Sequence, residues 1–111
     1  MQIIIHSKNL DLTSPIETMV NNRLAGLGKF FKPGDELIEL RVEVGRPSKH
    51  HRKGVVYYAE INLKIGKNLL RATEEHFELE SAVVAAREDI ESQVNKFKTK
   101  IKNSQRKPKR Q

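Results

Sequence analysis

Cysteine is absent from the 111 residues, which excludes a disulfide framework and any thiolate metal site. No apolar run approaches the roughly 20 residues a helix needs to span a bilayer. The opening Met1-Gln2-Ile3-Ile4-Ile5-His6-Ser7 has neither the charged start nor the long apolar stretch of a secretory signal. A cytoplasmic chain without a membrane partner is the expectation. Aromatic residues are only 5% of the chain, and they form no ladder of the kind that stacks single-stranded bases. There is no Gly-rich phosphate loop, no Gly-x-Ser-x-Gly elbow and no His-Glu-x-x-His. His50 and His51 are adjacent, so on an extended chain they point apart and chelate poorly. His6 and His76 stand alone. Neither catalysis, a metal, a cofactor nor a small-molecule substrate is expected.

Negative charge is also missing from one region. The whole chain carries +7, yet residues 1–95 hold 13 Lys and Arg against all 14 Asp and Glu, a net −1. Residues 96–111 hold the other 8 Lys and Arg and no acid. A one-sided basic block suits a polyanion, either nucleic acid or an anionic membrane surface. The scarcity of aromatics and a helix face suited to a protein core disfavour the membrane. A solvated tail that aids solubility is the plainer alternative.

What is present is a regular order of elements in a chain long enough for one modest core. Gln2 to Lys8 is short and β-branched and reads as a strand with Ile3 and Ile5 on one face. Ser14-Pro15-Ile16-Glu17 starts a helix, with Ser14 as cap, Pro15 at the first helical position and Glu17 closing a capping box. Ile16, Val20, Leu24 and Leu27 form its apolar face. Gly26 and Gly28 weaken its end, and Lys32-Pro33-Gly34-Asp35 stops it. Ile38, Leu40, Val42 and Val44 alternate with Glu39, Arg41 and Glu43, the pattern of a strand with one wet face. After a polar loop from Arg46 to Lys53, Val55 to Ile65 repeats the alternation, with Tyr58 and Glu60 outward. Gly66-Lys67-Asn68 turns the chain into a fourth strand, Leu69 to Thr73, and Glu74 to Phe77 connects onward.

From Leu79 the apolar residues Leu79, Val83, Ala86, Ile90, Val94, Phe97 and Ile101 fall on one stripe of a long helix. The acids at its start, including Glu78 and Glu80, suit the positive end of the helix dipole. The order is β-α-β-β-β-α, an α+β fold. It predicts a four-stranded sheet with both helices on its single apolar face, resembling a double-stranded RNA-binding domain. Residues 1–102 form the expected domain, and 103–111 a basic tail with nothing to bury, expected to be disordered.

The basic positions fall into groups. Arg46, Lys49, Arg52 and Lys53 stand in a loop with no acid, which can follow a phosphate backbone or be a solvated hairpin tip. Arg23 flanks the first helix's apolar stripe, and Lys29 lies near its end. On the long helix Arg87 and Lys98 share one flank, Lys96 and Lys100 the other. Arg87 has Glu91 four residues on as an ion-pair partner. Lys96 to Lys102 have no acid within reach in sequence. The reading from residues alone is a non-enzymatic binder of structured RNA; a general RNA-binding or ribosome-assembly module and a protein-interaction module remain alternatives.

A family resemblance rests on several segments in order. They are Met1-Gln2-Ile3, then Arg23 through Phe31 (Arg-Leu-Ala-Gly-Leu-Gly-Lys-Phe-Phe), Val42-Glu43-Val44, Tyr58 through Leu63, and Leu70-Arg71-Ala72. Ala82-Val83, Ile90-Glu91-Ser92-Gln93 and Lys96 to Lys100 complete the set. Across residues 1 to 102 the chain resembles the short ribosome hibernation-promoting factors, related to ribosome-associated inhibitor A. The resemblance implies a protein that binds the small ribosomal subunit through 16S rRNA. It would fill the mRNA channel at the A and P sites and inhibit translation in stationary phase or stress. The rRNA-binding role then falls on Arg23, Lys29, Arg87, Lys96, Lys98 and Lys100, with Lys102 continuing the run. Glu78, Glu80 and Val84 stand where members usually carry Asp, Tyr and Asp. The long members' C-terminal ribosome-dimerising domain is expected to be absent.

Overall fold

Alternation of apolar and polar residues builds the sheet. The computed structural model of the chain describes residues 2–31, 38–47 and 56–105, with side chains through Lys100. Strands β1 (Gln2–Lys8), β2 (Ile38–Gly45), β3 (Tyr57–Ile65) and β4 (Asn68–His76) lie in that spatial order. β1 runs parallel to β2, and β2, β3 and β4 form an antiparallel meander. Opposed residues such as Leu40 and Leu63, or Val42 and Ile61, put their side chains on the same face. That face is buried; Arg41 and Lys64 on the other are exposed.

Helices α1 (Ser14–Leu24) and α2 (Leu79–Gln105) cover the buried face. Val20 and Leu24 of α1 join Val83, Ala86, Ile90 and Val94 of α2 and the inner strand residues in one core cluster. Val83, Ile90 and Val94 are fully buried, and each stabilises the docked helix by roughly 1.5–3 kcal/mol. Contacts with α2 advance along the chain from the end of α1, where Arg23 meets Glu80, to Phe30 in the segment that follows, which meets Lys98. From Arg23 to Phe30 the chain therefore advances in the same sense as α2. At about 1.5 Å per residue α2 is about 40 Å long, and its last fully buried side chain is Val94. The helix continues from there to Gln105.

The β-α-β-β-β-α order and the two-helix layer are as the sequence predicts; several details differ. Thr13, not Ser14, caps α1: its Oγ1 accepts from the Ile16 amide at 3.3 Å. This shift makes Ile16 the residue three past the cap, so Glu17 closes no capping box. The α-helix ends at Leu24, and Ala25–Phe30 continue as a 3₁₀ segment that still buries Leu27. β4 is longer than expected, because Glu74, Glu75 and His76 pair with Ala59, Tyr58 and Tyr57. The β3–β4 link is two residues, Gly66 and Lys67, with positive φ at Gly66 alone, as a type II′ turn requires. Tyr58, on the outward face, is buried all the same. It stands opposite Gly45, which leaves room for the ring, and its hydroxyl donates to Glu43. Burial and that carboxylate push the phenol well above its ordinary pKa, so it stays a donor.

One close approach joins β1 to β2. A Cβ on Gly45 would lie 2.1 Å from the Lys8 carbonyl oxygen, so only glycine fits there. Just beyond, Asn9 adopts φ 57° and its Nδ2 donates to the Arg46 carbonyl at 3.1 Å. The Arg46 amide donates to Lys8 at 3.1 Å. The start of the basic loop is thus pinned to the end of β1.

Candidate nucleic-acid interface

The helix layer carries the cations, and it divides into two zones. In the first, α1 meets the first turns of α2. Glu78 precedes α2, its carboxylate accepting from the Ser81 hydroxyl at 3.2 Å and its amide donating to His76 Nδ1 at 3.1 Å. Two residues on, Glu80 points at α1 and forms an ion pair and hydrogen bond with Arg23. Both side chains are about half exposed, at 49% and 47%. One helical face further along, Arg87 Nη1 donates to the backbone carbonyl of Arg23 at 3.1 Å. Its Nε lies 3.7 Å from the Glu91 carboxylate. That Nε is buried and makes no hydrogen bond among the described residues. Arg87 is therefore a tie between helices: it meets a carbonyl at the end of α1, where the helix leaves acceptors unsatisfied and its dipole is negative.

The second zone is the projecting end of α2 with the 3₁₀ segment beside it. Lys98 Nζ donates to the Phe30 carbonyl and stands 5.7 Å from the centre of the Phe31 ring. Lys29 Nζ lies 5.6 Å from the centre of the Phe30 ring. Each ammonium thus stands within cation–π range of an aromatic ring. Lys96 and Lys100 line a shallow groove with Asn95 and Thr99 and are exposed. Neither the 3₁₀ segment nor α2 beyond Glu91 contains an acid. Among the described residues, none of Lys29, Lys96, Lys98 or Lys100 forms a salt bridge.

Gln93 anchors α2 between the zones, donating to the Arg71 carbonyl of β4 at 2.7 Å and to Asp89 at 3.0 Å. Of the loop cations, Arg46 is half-buried at the pinned loop start; Lys49, Arg52 and Lys53 lie outside the described residues. The side chain of Lys102 and the whole of 106–111 do as well. The family resemblance assigns rRNA binding to Arg23, Lys29, Arg87, Lys96, Lys98, Lys100 and Lys102, and the fold brings the first six to the helix layer. Two features escaped the sequence reading. In sequence Glu80 is a dipole partner and a departure from the family's usual Tyr, and nothing there links it to Arg23, 57 residues away. Phe30 and Phe31 were read only as part of a motif, although a lysine directly before two aromatics was a visible signal.

Among the described residues no group of His, Asp or Glu is arranged to hold a metal, and no helix is long and apolar enough to cross a membrane. Comparison with known proteins gives three findings. Residues 3–102 match the family model described as sigma 54 modulation protein / S30EA ribosomal protein. The fold is similar to the Thermus thermophilus Protein Y N-terminal domain at 28% identity and a TM-score of 0.71, covering 87% of this chain and 99% of that one. It is also similar to a ribosomal subunit interface protein from Coxiella burnetii, at 14% identity and a TM-score of 0.69, covering 89% and 99%. No curated protein matches the sequence.

Proposed function

Since the chain belongs to the sigma 54 modulation protein / S30EA ribosomal protein family, we propose that it is a ribosome hibernation factor of the small subunit. It binds 16S rRNA with its helix layer, occupies the mRNA channel at the A and P sites, and inhibits translation in stationary phase or stress. The observation that carries this reading is the acid-free end of the helix layer. Lys29, Lys96, Lys98 and Lys100 stand there without a salt-bridge partner among the described residues, on a packed support. Folded rRNA presents phosphates at fixed positions, and Lys29 and Lys98, whose ammonium groups lie beside Phe30 and Phe31, lose less entropy on meeting them than free lysines would. The work is binding and exclusion, with no bond made or broken. Residues 103–111 extend the same charge as a basic arm.

Sedimentation tests the reading. The purified protein should travel with vacant small subunits in low salt. Its affinity should fall with a log–log salt slope of about three to four if those four lysines meet phosphates. Saturating mRNA with tRNA should displace it. Binding alongside a full complement of both would refute occupation of the channel and favour a general structured-RNA binder.

A further inference from the structure

Among the described residues, Arg23 is the one cation of the helix layer whose charged group is already held by a carboxylate in hydrogen-bond contact. We propose that Glu80 is an internal competitor for RNA phosphate at Arg23, so that Arg23 joins the interface only when a phosphate displaces the Glu80 carboxylate. The inference rests on the ribosome-binding reading and adds to it a residue that limits affinity.

Three observations support it. A guanidinium presents a planar fork that suits a carboxylate and a phosphate in the same way. Glu80 therefore occupies donors that an RNA backbone would use. Both side chains are about half exposed, which leaves the pair open to displacement and weak enough to be displaced. Glu80 is also held in place without Arg23, because it lies in the first turn of α2, where the helix dipole favours an anion. Displacement leaves Glu80 as a negative charge beside the incoming phosphate. The zone of Arg23, Arg87, Glu80 and Glu91 is thus neutral toward RNA, and removing one carboxylate makes it cationic.

The test compares wild type, Glu80→Gln, Arg23→Gln and the double variant. The probes are vacant small subunits and a plain RNA duplex, over a range of salt. Glu80→Gln keeps the shape and removes the charge. It should tighten binding by roughly two- to five-fold, the scale of an exposed ion pair that no longer competes. It should also steepen the salt slope by about one. Arg23→Gln alone leaves Glu80 as an uncompensated negative charge and should weaken binding by roughly two- to five-fold, and in the Glu80→Gln background it should remove the whole gain. The double variant, which lacks both charges, should therefore match wild type in affinity and in salt slope. Weaker binding by Glu80→Gln, with an unchanged melting temperature, would mean that Glu80 orients Arg23 for phosphate, and would overturn the proposal. Unchanged binding and slope on both probes would put the pair outside the interface and overturn it equally. A wild type that binds the duplex but not the subunit refutes the ribosome reading while Glu80 is still read on the duplex. A wild type that binds neither refutes both.

Discussion

The two ends of α2 use positive charge in opposite ways. Near its start each arginine of the seam meets an acid or a carbonyl: Arg23 is held by Glu80, and Arg87 by the Arg23 carbonyl with Glu91 close by. Past Glu91 the helix has no acid; Lys96 and Lys100 are exposed, and Lys98 leans on Phe31 and the Phe30 carbonyl. At the first end the charge holds α1 to α2; at the second, no acid among the described residues pairs with Lys29, Lys96, Lys98 or Lys100. The difference teaches that a list of cations on one face is not yet an interface. What counts is the charge left after internal partners are satisfied.

The largest effect separates the buried end from the projecting one. Ile90 is fully buried and Phe97 only partly so. Ile90→Ala should therefore lower unfolding free energy by about 2–5 kcal/mol, and Phe97→Ala by clearly less, both read by urea denaturation. Equal losses would mean that the helix is supported evenly along its length. Next comes the paired reversal Lys96→Glu with Lys100→Glu. It should weaken binding to vacant small subunits by on the order of a hundredfold at low salt and take about two units from the salt slope. The melting temperature should hold, since both side chains are exposed. A preserved slope would move the interface away from this end. The smallest effect concerns Arg87. Arg87→Met should cost about 1 kcal/mol of stability through the lost bond to the Arg23 carbonyl, with the salt slope unchanged. A slope lowered by one at constant stability would instead make Arg87 a phosphate contact.

The fold was legible in particular residues. Ile38 to Val44 and Tyr57 to Ile65 alternate because one face of each strand is buried, and Leu79 to Phe97 keep a helical period because one stripe is. The cap of α1 was misplaced by one residue, since Thr13 and Ser14 can both cap and only the backbone turn chooses. The length of β4 was hidden in Glu74, Glu75 and His76, which carry no strand propensity and are extended by pairing with β3. At the candidate site, the acid-free run beyond Glu91 could be read directly. The partners of Arg23 and Lys98 could not, because their contacts span 57 and 68 residues.

By itself the sequence determined the element order, the apolar faces and the segregation of charge, since all three are properties of neighbours along the chain. Tertiary structure alone decided that β1 lies parallel to β2, that Gly45 must lack a side chain, and which cations are held by partners within the fold. Those outcomes depend on groups distant in sequence meeting at hydrogen-bond range, and local preference carries no information about such meetings.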